Sequence, residues 1–472
     1  LKETVANATA RTRAESLFFE GCRHLLDGQV VAAERCLREA IGLRAGFPEA
    51  HANLALLLDQ SGRKAEAETY YRQALALDPC DAQTHVNVGV MLAGLMRFDE
   101  SEAHYREALA LKADSPAAWS NLGVLLACRK REDEAESCYR RALALDARHA
   151  NAQFNLAYLL LRQGRYAEGW RCMEARDWYA PLERHFSCPR WRGESLAGKT
   201  ILIGVEAGHG DMIQFCRYAA VLKANGAAKV CVLCQPALQA LFAGADGVDA
   251  VLPIDQPVPT SGWDYWTPPL SIPYHCQTRL STIPARLPYL HADPVRVADW
   301  AARLAGQARC GETRVGLVWQ GNAAFENDAE RSLASLDVLA PLAGVPDVRF
   351  FSLQKGAGEA QAKRPPPGFP LVDLGAQLGD FAETAAVIEN LDLTISVDTA
   401  VAHLAGALAK PCWVLLPDYK TDWRWLAECC DSPWYPGVLR LFRQPRGGGW
   451  DAVVDALQGA LREFVQRGGR RL

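Results

Sequence analysis

Two short segments carry residues whose types and spacing could do chemistry. The first is EAGHGD, Glu206 to Asp211, which follows the apolar run TILIGV (200–205) and opens a helical pattern. Gly208 and Gly210 allow a tight turn and close approach of backbone. Asp211 stands where either an N-cap or a catalytic carboxylate would. The spacing is not that of a dinucleotide fingerprint. The second segment is SVDTAVAHLAGALAKPCWVLLP (396–417), which reads as strand end, loop, helix and strand. Its helix begins near Asp398 and Thr399, and the free N–H groups and positive dipole end of a helix suit a diphosphate. His403 lies one turn after Thr399 on the same face. It points either into that site or into the core, where a single histidine on an amphipathic helix more often belongs.

Gln320, Asn322 and Gln354 end or follow apolar runs, so they either contact a ligand or cap those ends. No His, Cys, Asp or Glu set has convincing metal-ligand spacing. The one CxxC, Cys231 to Cys234, lies in KVCVLC, where residues three apart on a strand face opposite ways.

These residues need a scaffold, and the hydrophobic pattern supplies one. TILIGV, KVCVLC (229–234) and DAVLPI (249–254) read as strands, with a short helix over 236–242. After a polar segment around Ala292 to Glu312 come RVGLVW (314–319), RFFSL (349–353), PLVDL (370–374), LTISV (393–397) and PCWVLL (411–416). Strands alternating with helices predict parallel sheets in two α/β halves, with ligands at the carboxyl ends of the strands.

The first third follows another rule. HANLALLL, HVNVGVML, WSNLGVLL and QFNLAYLL recur at one constant interval, beginning at His51, His85, Trp119 and Gln153. Small residues return in phase at Ala67, Ser101 and Ala135, tyrosines at Tyr71, Tyr105 and Tyr139, and alanines at Ala74, Ala108 and Ala142. An earlier copy starts near Ala14, with Gly21, Ala33 and Ala40 in phase, and units begin near 14, 48, 82, 116 and 150. The interval is that of the tetratricopeptide repeat. Such units stack into a solenoid whose first helices line a concave groove. Asn53, Asn87, Asn121 and Asn155 form a ladder on those helices. Either they grip a peptide backbone, since a carboxamide donates and accepts at once, or Asn is simply common at that position. Trp170 and Trp178 then mark a helix that docks on the next domain.

Composition narrows the function classes. Lys and Arg total 51 against 55 Asp and Glu in 472 residues, a net charge of −4, so phosphate neutralisation of nucleic acid is not expected. No apolar run approaches the length that a spanning helix needs, and the first residues lack a signal-peptide core. Most of the fifteen scattered cysteines are expected to be buried small hydrophobes in a reducing cytoplasm.

GHGDMIQFCRYAAVLKANGA, GLVWQGN, ERSLASLDVLAPL, FFSLQKG, VDTAVAHLAGAL and DWRW…DSPWYP…LRLFRQ occur in this order over roughly 195–450. With the repeats, they resemble the bacterial tetratricopeptide-containing glycosyltransferases, whose catalytic part is similar to the lipopolysaccharide heptosyltransferases. The resemblance implies an α-solenoid followed by a GT-B fold of two Rossmann-like α/β domains. Its bounds would be 1–185 for the tetratricopeptide superhelix, 186–305 for the acceptor-side domain and 306–472 for the nucleotide-sugar domain. It implies inverting, metal-independent transfer from a nucleotide-sugar to a Ser/Thr hydroxyl of a protein docked by the repeats, flagellin in some relatives. No cofactor is expected, because the nucleotide-sugar is a substrate. The expected partners are the protein acceptor and the donor, with no nucleic acid and no membrane span, in the cytoplasm.

By resemblance, Asp211 matches the carboxylate proposed as catalytic base. Asp398, Thr399 and His403 match the segment that holds the donor's phosphates and sugar. Arg331 in ERSL lies where the family places a basic residue near the diphosphate, and Ala400 stands where its pattern often has Gly. Gly208, Gly210, Gln214, Trp319, Gln320, Asn322, Ser332 and Gln354 are further donor-side candidates. Lys355 or Arg424 would add a cation for the leaving phosphate. The acceptor side falls to the four ladder asparagines. Two alternatives stand beside this reading: a lipopolysaccharide-type heptosyltransferase, or a non-catalytic repeat scaffold that binds a nucleotide-sugar.

Overall fold

The computed structural model describes residues 2–325 and 327–469. The chain forms two compact units that divide between Leu156 and Ala157.

The first unit is all helical. Hairpins pair α1 (Lys2–Leu26) with α2 (Val30–Leu43), α3 (Pro48–Gln60) with α4 (Lys64–Leu77), α5 (Ala82–Gly94) with α6 (Phe98–Leu111), and α7 (Pro116–Cys128) with α8 (Glu132–Leu145). α9 (Ala150–Arg162), which spans the division, and α10 (Tyr166–Met173) continue the order. The expected small residues and tyrosines are buried, and their pairing is steric. A Cβ on Gly89 would stand 2.6 Å from the Tyr105 ring, and one on Gly123 would stand 2.6 Å from that of Tyr139. Only glycine admits the ring there.

Three further features share the period of the repeats. The turn after each first helix places a left-handed residue at Gly28, Gly62, Met96, Lys130 and Gly164, with φ of 71°, 78°, 60°, 61° and 75°. The N–H of the next residue closes the turn, as from Arg97 to Leu92 O at 2.9 Å, a Schellman pattern. Arg63, Arg97 and Arg131 begin the second helices. Each pairs with a glutamate of its own helix (Glu66, Glu100, Glu134) and one of the preceding repeat (Glu34, Glu68, Glu102). His51, Trp119 and Gln153 side chains each bond a carbonyl six residues back, at Ala45, Ala113 and Ala147, and His85 does the same at Pro79. These bonds fix the entry of each first helix.

The second unit contains two parallel sheets. After α11 (Ala180–His185), the first is built from β1 (Thr200–Ile203), α12 (His209–Cys216), α13 (Tyr218–Ala224), β2 (Lys229–Cys234), α14 (Gln239–Phe242), β3 (Ala250–Pro253) and β4 (Tyr265–Thr267). Its strand order is β3-β2-β1-β4. Next come α15 (Ile272–His275) and α16 (Pro294–Ala305). The second sheet comprises β5 (Thr313–Val318), β6 (Val348–Ser352), β7 (Leu371–Asp373), β8 (Leu393–Val397), β9 (Cys412–Leu416) and β10 (Leu439–Arg443). Its helices are α17 (Asp328–Arg331), α18 (Glu359–Ala362), α19 (Phe381–Glu389), α20 (Ala400–Ala407) and α21 (Asp451–Gln466). The order β10-β9-β8-β5-β6-β7 reverses between β5 and β8, the switch point of a doubly wound Rossmann-like sheet. β8 and β9 are buried along their whole length, which explains their unbroken apolar runs.

Four expectations need correction. β4 and β10 are strands that the apolar pattern alone does not separate. The polar segment around 292–312 contains α16, capped by Asp293 and anchored by Trp300 and Leu304, one turn apart and both buried. The tight turn of EAGHGD is made by Ala207 at φ 59°, whereas neither Gly208 nor Gly210 is left-handed. Of the two tryptophans expected to dock, Trp170 is buried against Phe215, Trp423 and Trp434, while Trp178 is about half exposed, at 47%.

Candidate active site

The site begins at the end of β1. Glu206 is buried and forms a two-pronged ion pair with Arg176, whose Nη2 also donates to Ser271 Oγ at 2.9 Å. Burial pushes the Glu206 carboxyl up, although Arg176 pulls it down. Breaking such a pair leaves a buried charge, at a cost of about 3–5 kcal/mol, so the root of the loop is rigid. Gly208 then occupies the N-cap of α12, and Asp211 lies three residues in, not at the cap itself. Asp211 Oδ2 accepts the Gly208 N–H at 2.8 Å, and its Oδ1 pairs with Arg424 Nη2.

Arg424 is held on three sides. Its Nε donates to Gln214 Oε1, one turn beyond Asp211, and its Nη1 donates to Asp422 Oδ1 and Oδ2 at 3.0 and 2.9 Å. The Arg424 backbone N–H also donates to Asp422 Oδ1, at 2.9 Å. Burial works against the guanidinium charge, but Asp422 and Asp211 outweigh it and raise the pKa.

The other wall is the β8–α20 turn. Thr399 is the N-cap of α20, and its Oγ1 bonds Ser396 Oγ at 2.9 Å, so the first N–H groups of the helix have no side-chain cap. Asp398 is half-buried as a residue, and the desolvation of its carboxyl together with the Asp422 charge pushes that group up to about 6. α12 and α20 pack directly on each other. A Cβ on Gly210 would stand 2.9 Å from His403 Cδ2 and 3.4 Å from Ala400 Cα, so Gly210 sets how closely the helices approach. His403 is buried in this seam, stacked on Trp425 at 5.2 Å and bonded through Nδ1 to Tyr435 Oη at 2.9 Å. Burial, with the Arg424 and Arg217 charges, keeps its pKa well below the ordinary histidine value.

Arg331, at the end of α17, donates to Asp328 Oδ1 at 3.1 Å, lies over the Phe325 ring and lowers the Asp398 carboxyl by its charge. It packs on Gly321, whose N–H donates to Ser332 Oγ at 2.8 Å. The structure thus brings Gly208, Gly210, Asp211, Gln214, Arg424, Asp398, Thr399 and His403 together, with Arg331 close to Asp398.

A second group gathers at the ends of β5 and β6. Gln354 accepts from the N–H groups of Trp319 and Gln320, and donates to the carbonyls of Gln320 and Lys355. Its amide is used in full by the backbone. Trp319 is buried, and Gln320 donates to the carbonyls of Leu333 and Ala334. Asn322 is exposed and accepts the Ala324 N–H, and Lys355 Nζ donates to Gly375 O at 2.8 Å. In the first unit the ladder asparagines are half-buried on α3, α5, α7 and α9. Asn53 donates to Cys22 Sγ at 3.2 Å, and Asn87 accepts from Gln83 at 3.0 Å.

Sequence reasoning missed Asp422 and Tyr435. Both stand in motifs already singled out, DWRW and SPWYP, but nothing in a motif says which way a side chain faces.

Comparison with known proteins bears on this arrangement. Residues 48–79, 80–148 and 133–169 match tetratricopeptide repeat models, and residues 343–415 match glycosyltransferase family 9 (heptosyltransferase). Protein FlbA of Caulobacter vibrioides is 28% identical over 333 residues, 64% of this chain and 53% of that protein. The chain therefore spans about half the length of this curated relative. Among solved structures, pilF of Pseudomonas aeruginosa is 23% identical, with a TM-score of 0.34 over 35% of this chain and 77% of that one. MamA of Desulfovibrio magneticus RS-1 is 18% identical, with a TM-score of 0.32 over 36% of this chain and 96% of that one. Residues 48–169 are thus similar to tetratricopeptide repeats, and a segment of the second α/β sheet region, 343–415, is similar to glycosyltransferase family 9 (heptosyltransferase).

Proposed function

We propose that the chain is an inverting, metal-independent glycosyltransferase of the two-Rossmann GT-B type. It moves a sugar from a nucleotide-sugar to a Ser/Thr hydroxyl of a protein held by the repeats, with flagellin among the acceptors to test. The observation that carries this reading is the close approach of α12, which bears Asp211 next to Gly210, to the N-terminus of α20, which has no side-chain cap, at the switch point. The first bears a carboxylate able to take a proton, and the second is a helix end suited to a diphosphate.

In a single displacement, Asp211 takes the acceptor hydroxyl proton as that oxygen attacks the anomeric carbon from the face opposite the diphosphate. The bond to the phosphate oxygen breaks, and its electron pair leaves with the nucleotide. The α20 N-terminus and Arg331 meet the growing charge. The fifteen cysteines, scattered along the chain with no ladder of fixed spacings, suit a reducing compartment such as the cytoplasm.

Asp211→Asn is expected to keep nucleotide binding and to lower transfer at least ~100-fold. Release of nucleoside diphosphate from a panel of UDP-, GDP-, ADP- and dTDP-sugars measures this, and full activity of the variant would remove Asp211 as base. The heptosyltransferase description of the family 9 match favours a second reading, transfer of a heptose to a lipopolysaccharide core. Mass spectrometry of acceptors separates the two: added sugar on protein supports the first, and on lipid the second.

A further inference from the structure

Arg424 is a buried cation near the place where the diphosphate would sit, and its charge alone would assign it to the leaving group. Its bonds assign it elsewhere. Nε, Nη1 and Nη2 each donate to protein: Gln214, Asp422 and Asp211. The residue is 7% exposed. Arginine only donates, so Gln214 must turn Oε1 toward Nε, and this leaves Gln214 Nε2 buried without a partner. An orphaned buried donor costs stability, and here it accompanies the hold on Arg424. Asp422 fixes the guanidinium plane from the far side through two oxygens. Its carboxylate also accepts the Arg424 backbone N–H.

We infer that Asp422 and Arg424, with Gln214, are positioning residues that hold Asp211 in place as the general base, and that Arg424 is not a ligand of the diphosphate. This rests on the transferase reading above. The guanidinium, clamped by Asp422 and Gln214, presents one N–H to Asp211 Oδ1, while the Gly208 N–H takes Oδ2. The carboxylate plane is then set from both ends, and each oxygen keeps a lone pair for the acceptor proton. The leaving phosphate is left to α20 and Arg331.

The test compares the full chain with Arg424→Lys, Arg424→Gln and Asp422→Asn. Nucleoside diphosphate affinity is read by calorimetry with UDP, GDP, ADP and dTDP, and turnover by nucleoside diphosphate release from the matching sugars. Positioning predicts that kcat falls roughly 10–100-fold in Arg424→Gln, at most the lower end of the ~10²–10⁴ that full loss of base catalysis costs. Arg424→Lys should recover part of that loss, and Asp422→Asn should lose less. Affinity for the nucleoside diphosphate should stay within about threefold in all three, well short of a lost charged hydrogen bond. Asp422→Asn keeps the buried guanidinium in place, so the proposal stays testable if Arg424→Gln fails to fold. A tenfold loss of affinity with unchanged kcat in either arginine variant would make Arg424 a phosphate ligand and overturn the proposal. Unchanged kcat in Arg424→Gln and Asp422→Asn would overturn it as well. If the parent chain turns over no sugar in the panel, the transferase reading falls and takes the positioning role with it; if the parent is active and only the variant pattern fails, the reading stands.

Discussion

At the scale of the residue, Asp398 shows how surroundings rather than type decide chemistry. The Arg331 and Arg424 charges lower its carboxyl, yet burial and Asp422 outweigh them and push it from 3.8 to about 6. Between those values the folded protein holds more proton at Asp398 than the unfolded chain does, so this residue's contribution to stability falls as pH rises through the window. Asp398→Asn should remove that part of the slope. Unfolding midpoints of parent and variant, read at pH 4 and pH 7, check this, and parallel slopes would refute it. The buried His403 and the half-buried His209, both depressed by burial, give slopes of the opposite sign that are common to both proteins. None of this was legible in the sequence. Residue types could nominate Asp211 and Arg424, but they are separated by 213 positions in the chain and only the fold makes them a pair. The same blindness nominated Gln354 for a ligand when its amide bonds entirely to backbone.

At the scale of the element, the repeats were the most legible part, because a fixed period restates its steric logic each time. The tyrosines of α6 and α8 were visible as phase alone, while the glycines of α5 and α7 that admit their rings were shown by the structure. Strands buried on both faces also announce themselves as apolar runs, as β8 and β9 do. α16 was missed although its start signal, Asp293 before Pro294, and the one-turn spacing of Trp300 and Leu304 stand in the sequence, and β4 was missed because three residues are too few for a pattern. The recurring left-handed turn yields a prediction. Met96 takes φ 60° where three of the five turns have glycine. A side chain in that region costs about 1–2 kcal/mol, offset in part by the greater unfolded freedom of glycine. Met96→Gly should stabilise the repeats by about 0.5–1 kcal/mol, and urea unfolding followed by helical circular dichroism measures the gain. Loss of stability would show that the Met96 side chain contributes more than its backbone strain removes.

At the scale of the whole molecule, two kinds of architecture serve different tasks. Parallel sheets bring loops from distant positions to one crevice and fix reacting groups there, whereas the stacked hairpins repeat one side-chain position along a surface. The ladder asparagines belong to the second kind. On the proposed reading, Asn87→Ala with Asn121→Ala should raise the KM for a protein acceptor roughly tenfold, in line with a few lost hydrogen bonds. Sugar release to water should not change. Equal KM in parent and double variant would leave the ladder as a consensus feature. Both kinds of architecture could be assigned from the sequence, through the phase of the repeats and the alternation of strands and helices.

The arginine–glutamate pairs between repeats have one more consequence. Arg63, Arg97 and Arg131 each reach their own helix and the second helix of the preceding repeat, and these pairs extend no further. Copying one full repeat length taken from between Arg63 and Arg131 would therefore return each of these charges to an equivalent neighbour. An array wired in this way can lengthen or shorten by whole units without re-optimising its joints, so its length can vary while the α/β unit that follows it stays the same.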